Sequence, residues 1–209
     1  MRSFFCSFIF LLISITQTPE GVALKVENRL RSLKSLQANF EQFFYSTSVS
    51  SPLEEKGKLF MKKPDLMKWK YEDPEEKIFL YKNRILLSYF PEDNQLIRNR
   101  LTKKEGESEI LALLSGRKGL LDNYSVEFSP FPTEKTNALH LKLTPKIEQD
   151  YSLILLEINE KTWLIQKAIF FDWAGNKQEF HFKRIKINSY LAENIFEIKI
   201  PPGVEIIEN

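Results

Sequence analysis

The chain has two histidines, His140 and His181, and they bound the chemistry it can do. An imidazole metal centre or a nucleophile–base pair would need them joined by further ligands or partners. His181 lies on the charged side of an alternating stretch and His140 sits between Leu139 and Leu141, ordinary surface and structural positions. Cys6 is the single cysteine, which excludes a disulfide framework and a cysteine-based zinc site. Asp150 and Asp172 have no second carboxylate at readable spacing. Gly116-Arg117-Lys118-Gly119 is a basic turn, not a phosphate loop, and Gly-x-Ser-x-Gly and His-Glu-x-x-His are absent. Asn123-Tyr124-Ser125 matches a glycosylation sequon and Lys62-Lys63-Pro64 reads as a turn. The expectation is a protein that is not an enzyme and carries no metal and no cofactor.

The composition says what such a chain does instead of chemistry. With 43% apolar and 28% charged residues it is globular rather than disordered. Thirty basic residues against 28 acidic ones leave +2, too balanced for a nucleic-acid partner. The unusual feature is 17 phenylalanines, which must be covered by something. Arg2, the apolar run Phe4–Ile15 and the polar exit Thr16–Glu20 describe a signal peptide over residues 1–18, with an uncleaved anchor as the alternative. Ser14-Ile15-Thr16 and Thr16-Gln17-Thr18 fit a cleavage site loosely. Cys6 lies too early in the run to be a lipid-modified cysteine. Residues 19–209 then form one domain, exported and soluble.

The elements follow from periodicity. Val22, Val26, Leu30 and Leu33 recur at helical spacing and predict an amphipathic helix over Val22–Leu36. Gln37–Tyr45 alternates Ala38, Phe40 and Phe44 against Asn39, Glu41 and Phe43 as a half-buried strand. Short strands follow at Gly57–Met61, Leu66–Tyr71, Lys77–Tyr81, Ile85–Phe90 and Gln95–Arg100, cut by Pro64, Pro74, Asn83 and Pro91. Glu107–Leu114 reads as a short helix capped by Ser108 and stopped by Gly116. Strands resume at Tyr124–Ser129, Ala138–Thr144, Tyr151–Asn159, Leu164–Asp172, Gln178–Asn188 and Phe196–Ile200.

Within these strands one side is aromatic and the other charged. Met67, Trp69 and Tyr71 share a face opposite Lys68 and Lys70; Phe180 and Phe182 face away from Glu179, His181 and Lys183. A curved antiparallel sheet must cover such a face. Two or three short helices can plug a barrel mouth but not carpet so many strands. A hollow, aromatic-lined half-barrel with a helical lid and a fully packed core both satisfy this pattern.

Gly57-Lys58-Leu59-Phe60-Met61-Lys62-Lys63-Pro64-Asp65, continuing through Met67-Lys68-Trp69-Lys70-Tyr71 to Pro74, resembles the signature region of the LolA family of periplasmic outer-membrane lipoprotein carriers. Leu36-Gln37-Ala38-Asn39-Phe40-Glu41-Gln42, Leu143-Thr144-Pro145-Lys146 and Phe196–Glu205 extend the likeness in order along the chain. The resemblance implies a mainly β fold: an incomplete, unclosed antiparallel β-barrel of about 11 strands, with short helices forming a lid over an apolar cavity. It implies acylated lipoproteins as cargo, an inner-membrane ABC-type release complex as donor and an outer-membrane LolB-like receptor as acceptor. The expected chain is a periplasmic monomer. A general lipid- or hydrophobe-binding protein and a lipoprotein-sensing domain are alternatives on the same fold.

The family commonly has Arg just before the Pro of the turn, where it holds the lid helices by hydrogen bonds to backbone carbonyls. Lys63 stands here instead; it can donate to a carbonyl but lacks the planar five-donor fork. Asn83 stands where Gly is common in a hairpin, and it tolerates a left-handed turn. Three acyl chains of roughly fifteen methylenes each would cost on the order of 36 kcal/mol to expose to water, so cargo needs a loose apolar shelter. The expected wall is Phe43, Met67, Trp69 and Tyr71, with Ile110, Leu113 and Leu114 on the lid and Lys63 as the lid latch.

Overall fold

The structure, a computed structural model, describes residues 17–101, 109–129 and 137–209. Residues 1–16 of the expected signal peptide, and the expected helix start at Glu107 and Ser108, lie outside the described residues.

The first helix, α1 (Pro19–Ser32), starts three residues before the periodicity suggests. Thr18 caps it, accepting the Gly21 N–H at 3.1 Å, and Pro19 enters where its missing N–H costs nothing. Val22, Ala23, Val26 and Leu30 are buried along one stripe. The helix stops because Leu33 is extended, and Ser35 and Leu36 already belong to β1 (Ser35–Tyr45).

A meander follows: β2 (Leu53–Lys62), β3 (Leu66–Asp73), β4 (Lys77–Lys82), β5 (Ile85–Phe90) and β6 (Gln95–Arg100). The β4–β5 hairpin closes through Asn83 and Arg84, with φ of 50° and 65°, the left-handed pair that a two-residue turn requires. Two short helices, α2 (Glu109–Ser115) and α3 (Leu120–Asn123), interrupt the strands. A second meander comprises β7 (Tyr124–Phe128), β8 (Ala138–Pro145), β9 (Tyr151–Asn159), β10 (Ile165–Asp172) and β11 (Lys177–Ile187). β11 returns to pair antiparallel with β1, joining the meanders.

The result is one 12-stranded sheet in the order β12-β6-β5-β4-β3-β2-β1-β11-β10-β9-β8-β7. β12 (Glu205–Glu208) runs parallel to β6, and every other pairing is antiparallel. The edges β7 and β12 do not pair with each other, so the barrel is incomplete, as expected.

Gly57 permits the tightest approach in the sheet. A Cβ there would lie 2.1 Å from the Lys70 carbonyl oxygen and 2.8 Å from the Phe40 ring. It stands beside a register shift in the β2–β3 pairing, between Lys56 and Gly57.

The structure corrects two expectations. Phe196–Ile200 is not a strand: Glu193–Phe196 is a 3₁₀ turn, and the extended residues after it carry no ladder. Phe196 and Ile198 instead pack on the outer face of the first meander, against Leu80 and Leu87. That outer face is therefore not uniformly charged. Ile78, Tyr89 and Leu96 form a second buried cluster there, covered by Ile198 and Val204. Lys68 Nζ secures the covering segment by donating to the carbonyls of Ile195 at 3.0 Å and Glu197 at 2.8 Å.

Candidate functional site

Alternation along each strand decides what faces the lid. Register aligns Met67 with Met61 and Tyr81, Trp69 with Leu59 and Phe79, and Tyr71 with Gly57 and Lys77. With Phe40, Phe180 and Phe182 from β1 and β11, these side chains make an aromatic wall. Trp69 sits edge-on to Phe40 with ring centroids 4.8 Å apart and lies 5.6 Å from Phe180. Tyr71 stands against Phe40 at 4.9 Å. Its hydroxyl donates to Gln42 Oε1 at 2.6 Å, which satisfies the polar end of a buried side chain. Burial, with Glu55 nearby, pushes the Tyr71 phenol well above its ordinary range.

The lid covers this wall. Val22, Val26 and Leu30 of α1 and Leu113 and Leu114 of α2 belong to the same buried cluster as Met67, Trp69 and Tyr71, and Ile110 packs half-buried against it. One void between α1, α2 and the sheet, of about 10 Å³, is lined among the described residues by Leu30, Ala38, Leu114, Ile165, Phe182 and Ile185. Small-molecule sites typically hold roughly 300–1,000 Å³. Among the described residues, the lid helices therefore pack directly on the wall.

Polar contacts at the lid margin hold it down. Lys63 Nζ donates to the Leu30 carbonyl at 2.7 Å and the Arg31 carbonyl at 3.1 Å at the C-terminus of α1, where the Leu30 carbonyl also accepts the Leu33 N–H at 3.4 Å. Burial lowers the Lys63 pKa from its ordinary value, and the Arg117 and Arg31 cations lower it further. Gly116, at φ 67°, ends α2 and lets α1 close in: a Cβ there would meet Leu30 Cβ at 3.0 Å. Lys118 Nζ ties Glu109 of α2, at 2.9 Å, to Gln149 of the β8–β9 turn, at 2.7 Å.

Glu27 is a contact that the sequence reading misses. Buried on the α1 stripe, it accepts the Leu120 N–H at 2.9 Å and pairs with Arg31 at 2.6 Å, so α1 holds the start of α3. Its signal was available: a carboxylate four residues after Ala23 and three before Leu30 stands on the apolar stripe.

The structure brings Met67, Trp69, Tyr71, Ile110, Leu113 and Leu114 together and separates Phe43 from them. Phe43 pairs with Glu179 on the opposite face of β1, its ring 5.3 Å from that of His181. Strand parity is the reason, since Ala38, Phe40 and Gln42 take the inner positions. The two histidines also lie on that outer face, and no group of three or more metal-ligating residues occurs among the described residues. Among the same residues no helix is long and apolar enough to cross a membrane.

A family model described as outer membrane lipoprotein carrier protein LolA matches residues 31–199. An outer-membrane lipoprotein carrier protein of Pseudomonas paraeruginosa is 21% identical over 209 residues, covering 100% of this chain and 98% of its own. One from Coxiella burnetii is 20% identical over 203 residues, covering 96% and 93%. Among solved structures, an uncharacterized conserved protein from Thermus thermophilus superposes with a TM-score of 0.59 at 14% identity, covering 91% of this chain and 98% of that one. MucB superposes with a TM-score of 0.51 at 13% identity, covering 90% of this chain and 65% of that one. These two likenesses are of fold.

Proposed function

Since the chain belongs to the LolA family of outer membrane lipoprotein carrier proteins, we propose that it shelters the acyl chains of lipoproteins between the aromatic wall and its helical lid. The observation that carries this reading is the closed apolar concavity held at its margin by Lys63. The wall offers area without direction: Met67, Trp69, Phe180 and Phe182 present almost no polar atoms, so binding follows the apolar surface covered and not the identity of the cargo. A lid that refills the concavity gives the bound chains a competitor, which favours hand-over. Non-enzymatic carriage in the periplasm follows, with an inner-membrane ABC-type complex supplying cargo and a LolB-like receptor accepting it.

The test is lipoprotein release from spheroplasts with and without the purified protein, followed by mass spectrometry of the soluble fraction. A soluble one-to-one complex with an acylated lipoprotein is the expected result. Lipoproteins left on the membrane, with the protein holding free lipid or nothing, would replace the carrier with a general hydrophobe binder.

A further inference from the structure

On the face of the sheet away from the lid, β8 to β11 frame a cleft of about 740 Å³. That is within the usual range of small-molecule sites. Its position is fixed by one outward row: His140 pairs with Glu157, Glu157 with Lys167, Lys167 with His181, and His181 with Glu41 of β1. Both histidines of the chain therefore open onto it, together with Lys167, Lys183 and Arg184, while Glu157 is the one carboxylate among the described lining residues.

Two β-bulges shape the cleft. Gln166 is an extra residue of β10 against β9, and Arg184 with Ile185 of β11 oppose Ala38 alone on β1. Bulges of this kind re-aim side chains and concentrate beside functional sites. Arg184 sits at φ 53°, a left-handed conformation that a residue with a side chain adopts at a cost. Both bulged residues line the cleft.

The surrounding charges leave one cation over. Glu179, beneath the row, takes Lys167 at 2.5 Å, His181 at 2.5 Å and Lys177 at 3.1 Å; Glu41 holds Lys183 at 2.6 Å. His140 lies 3.4 Å from Glu157. The Arg184 side chain makes no hydrogen bond or ion pair among the described residues.

We infer that this cleft binds a phosphate monoester, with the Arg184 guanidinium as its anchor and Lys183 and His181 beside it. A guanidinium fork meets two oxygens of such a group, and the neighbouring donors suit its remaining oxygen. Leu155 and Ile169 give an attached carbon skeleton an apolar surface. The strain at Arg184 is then the cost of aiming an unpaired cation into the cleft. The site stands apart from the acyl wall and does not depend on the carrier reading.

The experiment is an NMR titration of the whole protein, following the Arg184 Nε–H and the two imidazoles. One arm uses glycerol phosphate and a second uses vesicles containing phosphatidic acid, whose headgroup is a phosphate monoester. Saturable shifts are expected in at least one arm, and the arm that responds says whether the phosphate is free or belongs to a lipid headgroup. Arg184→Gln weakens binding at least tenfold, and Arg184→Gly abolishes it while raising the Tm by a few degrees through relief of the left-handed strain. No saturable shift in either arm, unchanged binding in Arg184→Gln, or a lower Tm in Arg184→Gly would each overturn the assignment.

Discussion

Replacing Lys63 by Leu removes the two hydrogen bonds that join the β2–β3 turn to the last carbonyls of α1, at 2.7 and 3.1 Å. Hydrogen bonds from a charged donor contribute roughly 1.5–3 kcal/mol. Lys63 is half-buried and water replaces part of the loss, so we assign about that amount to the pair together. At about 1.4 kcal/mol per factor of ten, the open lid becomes about 10–100-fold more populated. In the closed form Leu113 and Leu114 pack on the wall that the acyl chain would cover, so apparent affinity scales with the open fraction. Lys63→Leu should therefore bind an acyl probe more tightly by that factor and give it up more slowly. Hydrogen exchange of α1 and α2 amides should accelerate in parallel, while amides in the β1–β11 pairing stay protected. Lys63→Arg, with more donors in a fixed fork, should move both readouts the other way. Equal exchange and equal affinity in Lys63→Leu and the parent would refute the latch.

Other consequences follow from the same contacts. Met67→Glu places a carboxylate on a wall residue that is 2% exposed, and should abolish acyl loading in spheroplast release assays. Met67→Leu, which keeps the volume, should load normally, and full loading by Met67→Glu would remove Met67 from the wall. Gly57→Ala drives a Cβ to 2.1 Å from the Lys70 carbonyl oxygen and should destabilise by more than about 3 kcal/mol in urea unfolding; a parental midpoint would contradict that geometry. Burial raises the Glu179 pKa, but hydrogen bonds from His181, Lys167 and Lys177 outweigh it and hold the value at about 2 against 4.5. A depressed carboxylate stabilises the fold above its unfolded pKa, and the contribution is lost as pH falls from about 4.5 towards 2, on the order of 3 kcal/mol in all. Glu179→Gln should flatten that part of the stability–pH curve, and an unchanged slope would argue against the cluster.

Much of this architecture is legible from alternation alone. Met67, Trp69 and Tyr71 at every second position identify three wall residues, and Gly116 marks the end of α2 because a left-handed residue is needed there. Phe43 falls on the other face, and its odd position in β1 already sets it opposite Phe40. Lys77–Lys82 holds a missed signal: Ile78 and Leu80 face one way, Phe79 and Tyr81 the other, so this strand is covered on both sides. The C-terminal segment supplies the second cover. Its Phe196–Ile200 stretch alternates like a strand because an extended chain laid on an apolar face shares that period with or without a ladder. Whether the concavity is hollow is not written in the sequence either, since side chains that line a cavity and side chains that meet a lid have the same composition.

The most direct test of the central claim is photo-crosslinking from single positions. A photoreactive residue is placed at Met67 or Leu114 on the covered concavity and at Phe43 on the opposite face, and each variant is loaded with an acylated lipoprotein. Cargo held between wall and lid gives crosslinks to the acyl chains from Met67 and Leu114 and none from Phe43. Crosslinks from Phe43, with Met67 and Leu114 silent, would place the cargo outside the lid and contradict it.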